Sequence, residues 1–228
     1  MAVITISRQY GSGGDDIAAR VCEILGYRFF DKELMAQLAS EVGLSEGEVV
    51  DYSEMDHKSE NILDRLVSLL TTAPGESPTV GQVSTWQRDA TGTKVRAVEE
   101  VGKDRSVAVV GQSILAARKV GNVVIVGRGG QAVLGEKPGV LHVRVEAPSD
   151  LRVQRVQEQQ ELSQRDAERL VKERDRASAH YVKRFHDVDL SDPMLYHLVI
   201  NTGRWEAEAA AQLIVSALSH LPAPPPAA

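Results

Sequence analysis

The start of the chain constrains its fold more than any other stretch. Residues 3–18 read VITISRQYGSGGDDIA, an apolar β-branched run followed by a Gly/Ser-rich run and an amphipathic pattern. This order predicts a buried strand, a tight loop and a helix. Backbone N–H groups in such a loop, backed by the positive end of the helix, bind phosphate oxygens. The opening residues therefore predict an α/β protein with a phosphate-binding loop.

The same loop departs from the Walker pattern G-x-x-x-x-G-K-[ST] at its chemically active positions. When the pattern is aligned on Gly13, Arg8 stands at the first glycine, Gly14 at the lysine and Asp15 at the hydroxyl residue. The loop therefore keeps the shape of a nucleotide-binding loop and lacks two of its usual catalytic groups.

Strand and helix patterns alternate along the rest of the chain, which predicts a parallel, doubly wound sheet. The predicted strands cover residues 3–7, 27–31, 123–126, 139–145 and 198–201. The predicted helices cover a stretch ending at Gly26, then residues 32–42, 46–53, 59–71, 94–119, 149–183 with a break near residues 162–163, and 204–220. Residues 72–93, rich in Thr, Pro, Gly and Ser, are predicted to form a loop.

Composition narrows the class of protein. A chain of 228 residues is long enough for one α/β domain with an insert or for two small domains. The net charge of −6 supplies no overall basic field, so neither nucleic acid nor a membrane is an expected partner. The single cysteine, Cys22, excludes a disulfide within the chain and fits a reducing cytoplasm. The first residues lack the features of a signal peptide, and a cytoplasmic location is expected.

Three motifs fall at the carboxyl ends of predicted strands, where parallel sheets bind ligands. They are the loop of residues 8–14, the sequence FDKE at residues 30–33 and the sequence GRGG at residues 127–130. Their convergence on one edge of the sheet favours a phosphate-binding site over a set of structural turns.

These motifs resemble the cytidylate kinase-like family of P-loop proteins over nearly the whole chain. The resemblance rests on ISRQYGSGG at residues 6–14, FDKEL at 30–34, VIVGRG at 124–129, RDR at 174–176 followed by Tyr181, and YHLVINT at 196–202. It implies a P-loop kinase-like three-layer α/β fold with a five-stranded parallel sheet of order 2-3-1-4-5. It also implies one domain over residues 1–221, with its core at 1–31, 101–151 and 191–221, a helical insert for the monophosphate at about 32–100 and a helical lid at about 152–190. Residues 222–228, rich in Pro and Ala, are expected to be a disordered tail.

The resemblance also implies roles for individual residues. The ATP phosphates are expected at Tyr10, Gly11, Ser12, Gly13, Gly14, Asp15 and Asp16. The acceptor is expected at Asp31, Lys32, Arg128, Arg152 and Arg155, and the catalytic cations are expected to be Arg8, Arg128, Arg174 and Arg176. Two further departures from authentic cytidylate kinases are Val126, where an acid is usual, and Gly129, where Asp is usual.

Several of these residues have a second interpretation that the sequence leaves open. Arg8 either reaches across the loop to replace the charge of the lysine or pairs with an acid such as Asp31 and only orders the loop. Asp15 caps the helix, holds Mg²⁺, or repels the ligand. Arg174 and Arg176 bind phosphate or belong to a solvated helix face. Asp31 and Lys32 meet the base or ribose, or cap the next helix.

The remaining titratable residues carry weaker signals. Cys22 is expected to be a small buried hydrophobic residue. The histidines have no metal-ligand spacing and are expected to be structural or exposed; those considered are His142, His180, His186, His197 and His220.

The function that the resemblance implies is transfer of the γ-phosphoryl group of ATP to a CMP-like nucleoside monophosphate, with ATP and Mg²⁺ as cofactors. Two alternatives stay open. One is a catalytically degenerate nucleotide-binding protein that senses or regulates, and the other is a kinase for a different small acceptor. The expected partner is a small-molecule nucleotide, and homodimer formation is left open.

Overall fold

The computed structural model describes residues 2–30, 107 and 110–221. The predicted insert, Asp31, Lys32 and the C-terminal tail lie outside the described residues, and so do the helices predicted within residues 32–71 and the loop at 72–93.

The described part of the chain is built on a parallel sheet of five strands. In chain order these are β1 (Val3–Arg8), β2 (Arg28–Phe29), β3 (Val123–Val126), β4 (Val140–Glu146) and β5 (Leu198–Asn201). Their order across the sheet is β2-β3-β1-β4-β5. The central strand is in register with both neighbours, since Val3 pairs with Val123 on one side and Val140 on the other. The predicted sheet order is confirmed.

Helices follow the strands along the chain. They are α1 (Gly14–Leu25), α2 (residues 110–120), α3 (Gly130–Leu134), α4 (Ser149–Gln160), α5 (Gln164–His186) and α6 (Ala207–Ser219), with a 3₁₀ turn at Pro193–Leu195. None of these described helices is both long enough and apolar enough to cross a membrane.

Alternate side chains of β1 enter two separate apolar clusters, one on each face of the sheet. Ile4 and Ile6 pack with Ile17 of α1 and Ile214 of α6. Val3 on the opposite face belongs to the cluster that includes α2 and α3. Burying each of these side chains stabilises the fold by about 1.5–3 kcal/mol. The predicted three-layer arrangement is confirmed.

Thr5 and His142 form a buried polar pair within the apolar interior. The ring Nδ1 of His142 lies 2.6 Å from Oγ1 of Thr5, and its Nε2 lies 2.7 Å from the carbonyl oxygen of Gly135. A carbonyl can only accept, so Nε2 carries the proton and the Thr5 hydroxyl donates to Nδ1. Burial lowers the pKa of His142, which favours this neutral form.

The predicted break in the long charged stretch is confirmed. It lies between Gln160 and Gln164, because Glu161 takes a left-handed conformation and Ser163 caps the next helix. The starts of two helices differ from the predicted ones. The last helix begins at Ala207 instead of residue 204. Helix α3 begins inside the GRGG sequence, which was predicted only as a loop.

Candidate active site

The phosphate loop connects β1 to α1 at the carboxyl edge of the sheet. Gly11 and Gly13 have φ values of +76° and +78°, which side chains rarely adopt. A Cβ on Gly11 would also lie 2.7 Å from the carbonyl oxygen of Arg152. The hydroxyl of Ser12 is buried and finds no hydrogen-bond partner within the described structure. An unsatisfied buried hydroxyl inside a glycine-rich loop is the feature expected where a phosphate oxygen binds.

Arg8 extends from the end of β1 across the base of this loop. Its Nε lies 3.3 Å from Oδ1 of Asp15, so the acid that it pairs with is the first-turn residue of α1. Its Cβ lies 2.7 Å from where a Cβ on Gly14 would stand, and its Nη1 lies 2.7 Å from the corresponding point on Gly127. The arginine thus occupies the space in which a side chain at position 14 would start, and its guanidinium reaches the loop after β3.

Arg128 stands in that second loop, between two glycines. Its backbone is left-handed, with φ of +56°, which costs a residue with a Cβ about 1–2 kcal/mol. The buried side chain donates from Nη1 to the carbonyl oxygen of Phe30 and lies 5.5 Å from the centre of the Phe30 ring. These contacts hold the guanidinium toward the end of β2. The loop itself is fixed to β1, because the N–H of Gly127 donates to the carbonyl oxygen of Ile6 (3.0 Å).

Helices α4 and α5 are docked on the phosphate loop. The Tyr10 N–H donates to Oδ1 of Asp175 (2.9 Å), and Nη1 of Arg152 lies 2.6 Å from Oδ2 of the same carboxylate. Arg152 is buried and also donates to the carbonyl oxygens of Tyr10 and Ala147. The guanidinium of Arg174 lies 5.7 Å from the centre of the Tyr10 ring. Asp175 therefore fixes the loop to α5.

A second set of hydrogen bonds fixes the other end of the loop. Arg155 donates to the carbonyl oxygens of Ser12 and Thr202, both at 3.1 Å. The Thr202 hydroxyl, which follows β5, donates to the carbonyl oxygen of Ser12 at 2.6 Å. The structure thus adds Thr202 and Asp175 to the predicted residues. Both lie inside family motifs quoted above, but nothing in the sequence shows that they contact the loop.

The predicted site residues divide into three groups. Those gathered around the phosphate loop are Arg8, Tyr10, Gly11, Ser12, Gly13, Gly14, Asp15, Arg152, Arg155 and Arg174, with Arg128 in the neighbouring loop. Asp16 and Arg176 are exposed, on α1 and α5 respectively. Asp31 and Lys32 lie outside the described residues. The substrate contacts of all these residues stay predictions.

The carboxyl edge of the sheet gathers hydrogen-bond donors and positive charge in a protein whose net charge is −6. It carries the backbone N–H groups of the phosphate loop and the guanidinium groups of Arg8 and Arg128, at the ends of the adjacent strands β1 and β3. Phosphoryl transfer depends on such positioning and on stabilisation of spread negative charge.

A five-stranded parallel sheet of this order, with a phosphate loop between β1 and α1, defines a P-loop kinase fold. The chain belongs to the cytidylate kinase-like family, whose model matches residues 3–204. It therefore falls in the class of nucleotide kinases.

Individual relatives agree with this placement. The chain is 25% identical over 221 residues to a cytidylate kinase of Pyrococcus horikoshii, covering 96% of this chain and 89% of that protein. It is 31% identical over 106 residues to a cytidylate kinase of Methanocaldococcus jannaschii, covering 45% and 59% respectively. An uncharacterised protein of Eubacterium ventriosum has a similar solved fold, with a TM-score of 0.57 at 18% identity, covering 96% of this chain and 99% of that one.

Proposed function

We propose that the protein transfers the γ-phosphoryl group of ATP to a CMP-like nucleoside monophosphate. The observation that carries the proposal is the position of Arg8. Its side chain fills the space beside Gly14 and reaches Gly127, so a permanent positive charge lies between the phosphate loop and the loop of Arg128. Family membership and the cytidylate kinases among the relatives support the choice of reaction and acceptor.

The donor side of the site fits a nucleoside triphosphate. The loop of residues 10–16 offers backbone N–H groups, the N-terminus of α1 and the unsatisfied Ser12 hydroxyl. All of these stabilise phosphate oxygens. In this proposal Arg8 supplies the charge that the absent lysine would supply, because a guanidinium binds phosphate oxygens bidentately and keeps its proton when buried.

Mg²⁺ is the expected companion of ATP, and Asp15 is the residue proposed to hold it. No cluster of three or more potential ligands exists among residues 2–30 and 110–221, which suits a metal that keeps its waters and uses one or two carboxylates plus phosphates. The Asp15 side chain is 65% exposed, so its carboxylate is accessible while it pairs with Arg8. When bound, the metal would neutralise charge on the phosphates.

The acceptor side is assigned to Arg128 together with Asp31 and Lys32, which follow Phe30, the residue that Arg128 contacts. Arg155, Arg174 and Arg176 are proposed to surround the transferred group as parts of a lid. The division into core, insert and lid, the homodimer and the cytoplasmic location stay predictions.

A coupled assay with ATP, Mg²⁺ and a panel of nucleoside monophosphates tests the proposal. We expect turnover with a preference for pyrimidine monophosphates. Arg128→Ala should raise the acceptor KM by about 30-fold with little change for ATP, since one desolvated charge-assisted contact contributes about 2 kcal/mol. ATP turnover without a nucleotide preference would indicate a different small acceptor.

A catalytically degenerate nucleotide-binding protein is the second candidate. The carboxylate of Asp15 next to the phosphate loop favours it, because an acid there repels a phosphate when no metal is bound. Nucleotide binding without turnover of any monophosphate in the panel would establish this candidate and reject the first.

A further inference from the structure

The side chain of Tyr10 leaves the phosphate loop and packs against helices α4 and α5. It lies against an apolar cluster to which both helices contribute, and its hydroxyl accepts a hydrogen bond from Nε2 of Gln160 at the end of α4 (2.6 Å). The buried members of that cluster are Val153 and Val156 of α4 and Ala167 and Val171 of α5. Position 10 is one of the unrestricted positions of the Walker pattern, so the pattern gives this ring no role.

Backbone contacts fix Tyr10 to the same two helices. Its N–H donates to Oδ1 of Asp175 on α5 (2.9 Å), and its carbonyl oxygen accepts from Nη1 of Arg152 on α4 (3.1 Å). The N–H, the carbonyl group and the side chain of Tyr10 are therefore all held at once. The position of the ring is thus set by the fold, as it is for a side chain of the core and not for a loose side chain of a loop.

The ring of Tyr10 also lies next to a cation of the candidate active site. The guanidinium carbon of Arg174 is 5.7 Å from the ring centre, within the range of about 6 Å over which the face of an aromatic ring attracts a cation. Arg174 and Asp175 are consecutive residues of α5, so their side chains leave the helix about 100° apart. One lies near the ring of Tyr10 while the other binds its backbone. Two adjacent residues of α5 are therefore placed by a single residue of the phosphate loop.

We propose that Tyr10 is a positioning residue that orients the Arg174 guanidinium toward the phosphoryl group being transferred. This inference rests on the proposed function, in which Arg174 surrounds that group. A long arginine side chain loses conformational entropy when it is ordered, and the ring restricts it before substrates arrive. Tyr10 also begins the loop that binds the donor phosphates. The distance between those phosphates and the catalytic cation is accordingly set through one side chain.

Two substitutions of Tyr10 separate the ring from its packing. Tyr10→Phe keeps the ring and loses only the hydrogen bond from Gln160, whereas Tyr10→Leu keeps an apolar side chain against the cluster and removes the ring. We expect Tyr10→Leu to lower kcat about tenfold, with the KM for ATP changed less than about twofold, because a misplaced catalytic group slows the chemical step. Tyr10→Phe should retain most of the wild-type kcat. Equal losses of kcat in the two variants, or an unchanged kcat in Tyr10→Leu, would overturn the proposal.

The same helix offers a matched control. Arg184 lies 5.3 Å from the centre of the Phe185 ring, a pair of the same kind that includes no residue of the phosphate loop. Phe185→Leu removes that ring and should leave kcat close to the wild-type value. A loss as large as that of Tyr10→Leu would show that any ring on α5 matters, which contradicts a specific role for Tyr10.

A graded series tests the electrostatic attraction without changing the shape of the core. Phenylalanines with one, two and three ring fluorines at position 10 weaken the negative face of the ring in steps and keep its size. The logarithm of kcat should fall with each added fluorine while Tm stays nearly constant. A flat series would show that the ring acts by packing alone and would overturn the proposal.

A double-mutant cycle shows whether Tyr10 acts through Arg174. Arg174→Met removes the charge and keeps much of the length of the side chain. If Tyr10 works by orienting Arg174, adding Tyr10→Leu to Arg174→Met should lower kcat no further. Losses that multiply in the double variant would indicate two independent roles and reject the inference.

A spectroscopic measurement separates this inference from the function on which it rests. In ¹⁵N relaxation spectra of the arginine side chains, the Nε of Arg174 should be rigid in the wild type and in Tyr10→Phe and mobile in Tyr10→Leu. The exposed Arg165 at the start of the same helix should be mobile in all three. If the wild type turns over no monophosphate, the proposed function fails. If it turns over CMP and Arg174 is equally rigid in Tyr10→Leu, only the role of Tyr10 fails.

Discussion

Arg8 shows how a single side chain can change the chemistry of a phosphate loop. A lysine in the usual position starts from the first turn of the helix, whereas Arg8 starts from the end of the strand and reaches the same region from the opposite side. The Asp15 carboxylate holds its guanidinium at 3.3 Å. A positive charge is thus retained at the loop from a different position, and a carboxylate stands where the Walker pattern has a hydroxyl.

Removing the Arg8 guanidinium gives the most direct test of whether Arg8 supplies the charge of the absent lysine. Arg8→Ala should weaken ATP binding about 10- to 100-fold, because a hydrogen bond from a charged group contributes about 1.5–3 kcal/mol. Arg8→Lys should recover only part of the loss, since an ammonium cannot bind bidentately. Titration with Mg²⁺-ATP measures both effects. Unchanged affinity and turnover in Arg8→Ala would leave the degenerate binding protein as the better description.

Restoring the lysine and hydroxyl of the Walker pattern should not increase turnover. Gly14→Lys places a Cβ 2.7 Å from the Cβ of Arg8, so the new side chain displaces the arginine that it duplicates. We expect Gly14→Lys with Asp15→Ser to be neutral or harmful in the CMP assay, and Asp15→Ser alone serves as the control. A clear gain in turnover from the double change would show that the missing lysine limits the natural protein.

Cys22 should be nearly inert toward alkylation at neutral pH. Burial raises the pKa of its thiol to about 11, with the nearby Glu23 adding to the effect. The thiolate is the reactive form, so iodoacetamide should react roughly a hundredfold more slowly at pH 8 than with an ordinary thiol. The rate should rise with pH up to about 11. A rate that levels off near pH 9 would contradict this assignment.

At the scale of elements, α4 and α5 act as supports for the loop as well as a candidate lid. Asp175 joins them, because one carboxylate oxygen accepts from Tyr10 and the other pairs with buried Arg152. Motion of α5 away from the sheet would break both contacts. Closure and opening of a lid in this protein would therefore be coupled to the shape of the phosphate loop.

Asp175→Asn should expose the strength of this coupling. The amide oxygen can still accept from Tyr10, but Arg152 loses its counter-charge while remaining buried. Breaking a partly buried pair in this way should lower the free energy of unfolding by about 1–3 kcal/mol. Asp166→Asn, whose partner Arg169 is exposed, should cost less than about 1 kcal/mol. Urea unfolding measures both, and equal small losses would indicate that the pair contributes little.

The strongly patterned elements were predictable from local sequence, and helix α3, which has no such pattern, was not. Strand β3 is apolar at all four positions and was predicted with its observed bounds. Helix α3 has only five residues and begins at a glycine, so neither periodicity nor a capping residue marks it. It is held by packing of the loop against β1 and β3, because Gly130 lies against Thr5 and Ile125.

At the scale of the whole molecule, the order of the strands was predictable from the family resemblance. The contacts between distant residues at the candidate site were not. Thr202 contacts Ser12 across 190 residues of sequence, and Arg128 contacts Phe30 across 98. Such pairs share no local pattern. His186 was expected to be structural or exposed, and its position against Gly129 depends on how the long helix α5 crosses α3.

Ligand binding should stabilise the whole fold if both substrates bind the native state. At a concentration 100 times its dissociation constant, a ligand adds about 2.7 kcal/mol to the free energy of unfolding. For a chain of this size that corresponds to a rise in Tm of about 5–10 °C. An ATP analogue and CMP should each raise Tm, and together they should raise it further. A shift with the analogue alone would support the nucleotide-binding protein without a CMP-like acceptor.

The hydrogen bonds from Arg155 and Thr202 to the carbonyl oxygen of Ser12 have a kinetic consequence. With Asp175 holding the other end of the loop at Tyr10, the loop backbone is ordered when the chain folds and not when nucleotide arrives. A ligand that meets a preorganised loop need not wait for it to rearrange. Stopped-flow traces of ATP-analogue binding should then show one phase whose rate increases linearly with concentration. Thr202→Val removes the shorter of the two hydrogen bonds to the Ser12 carbonyl oxygen and loosens this end of the loop, so a slower second phase that saturates with concentration should appear.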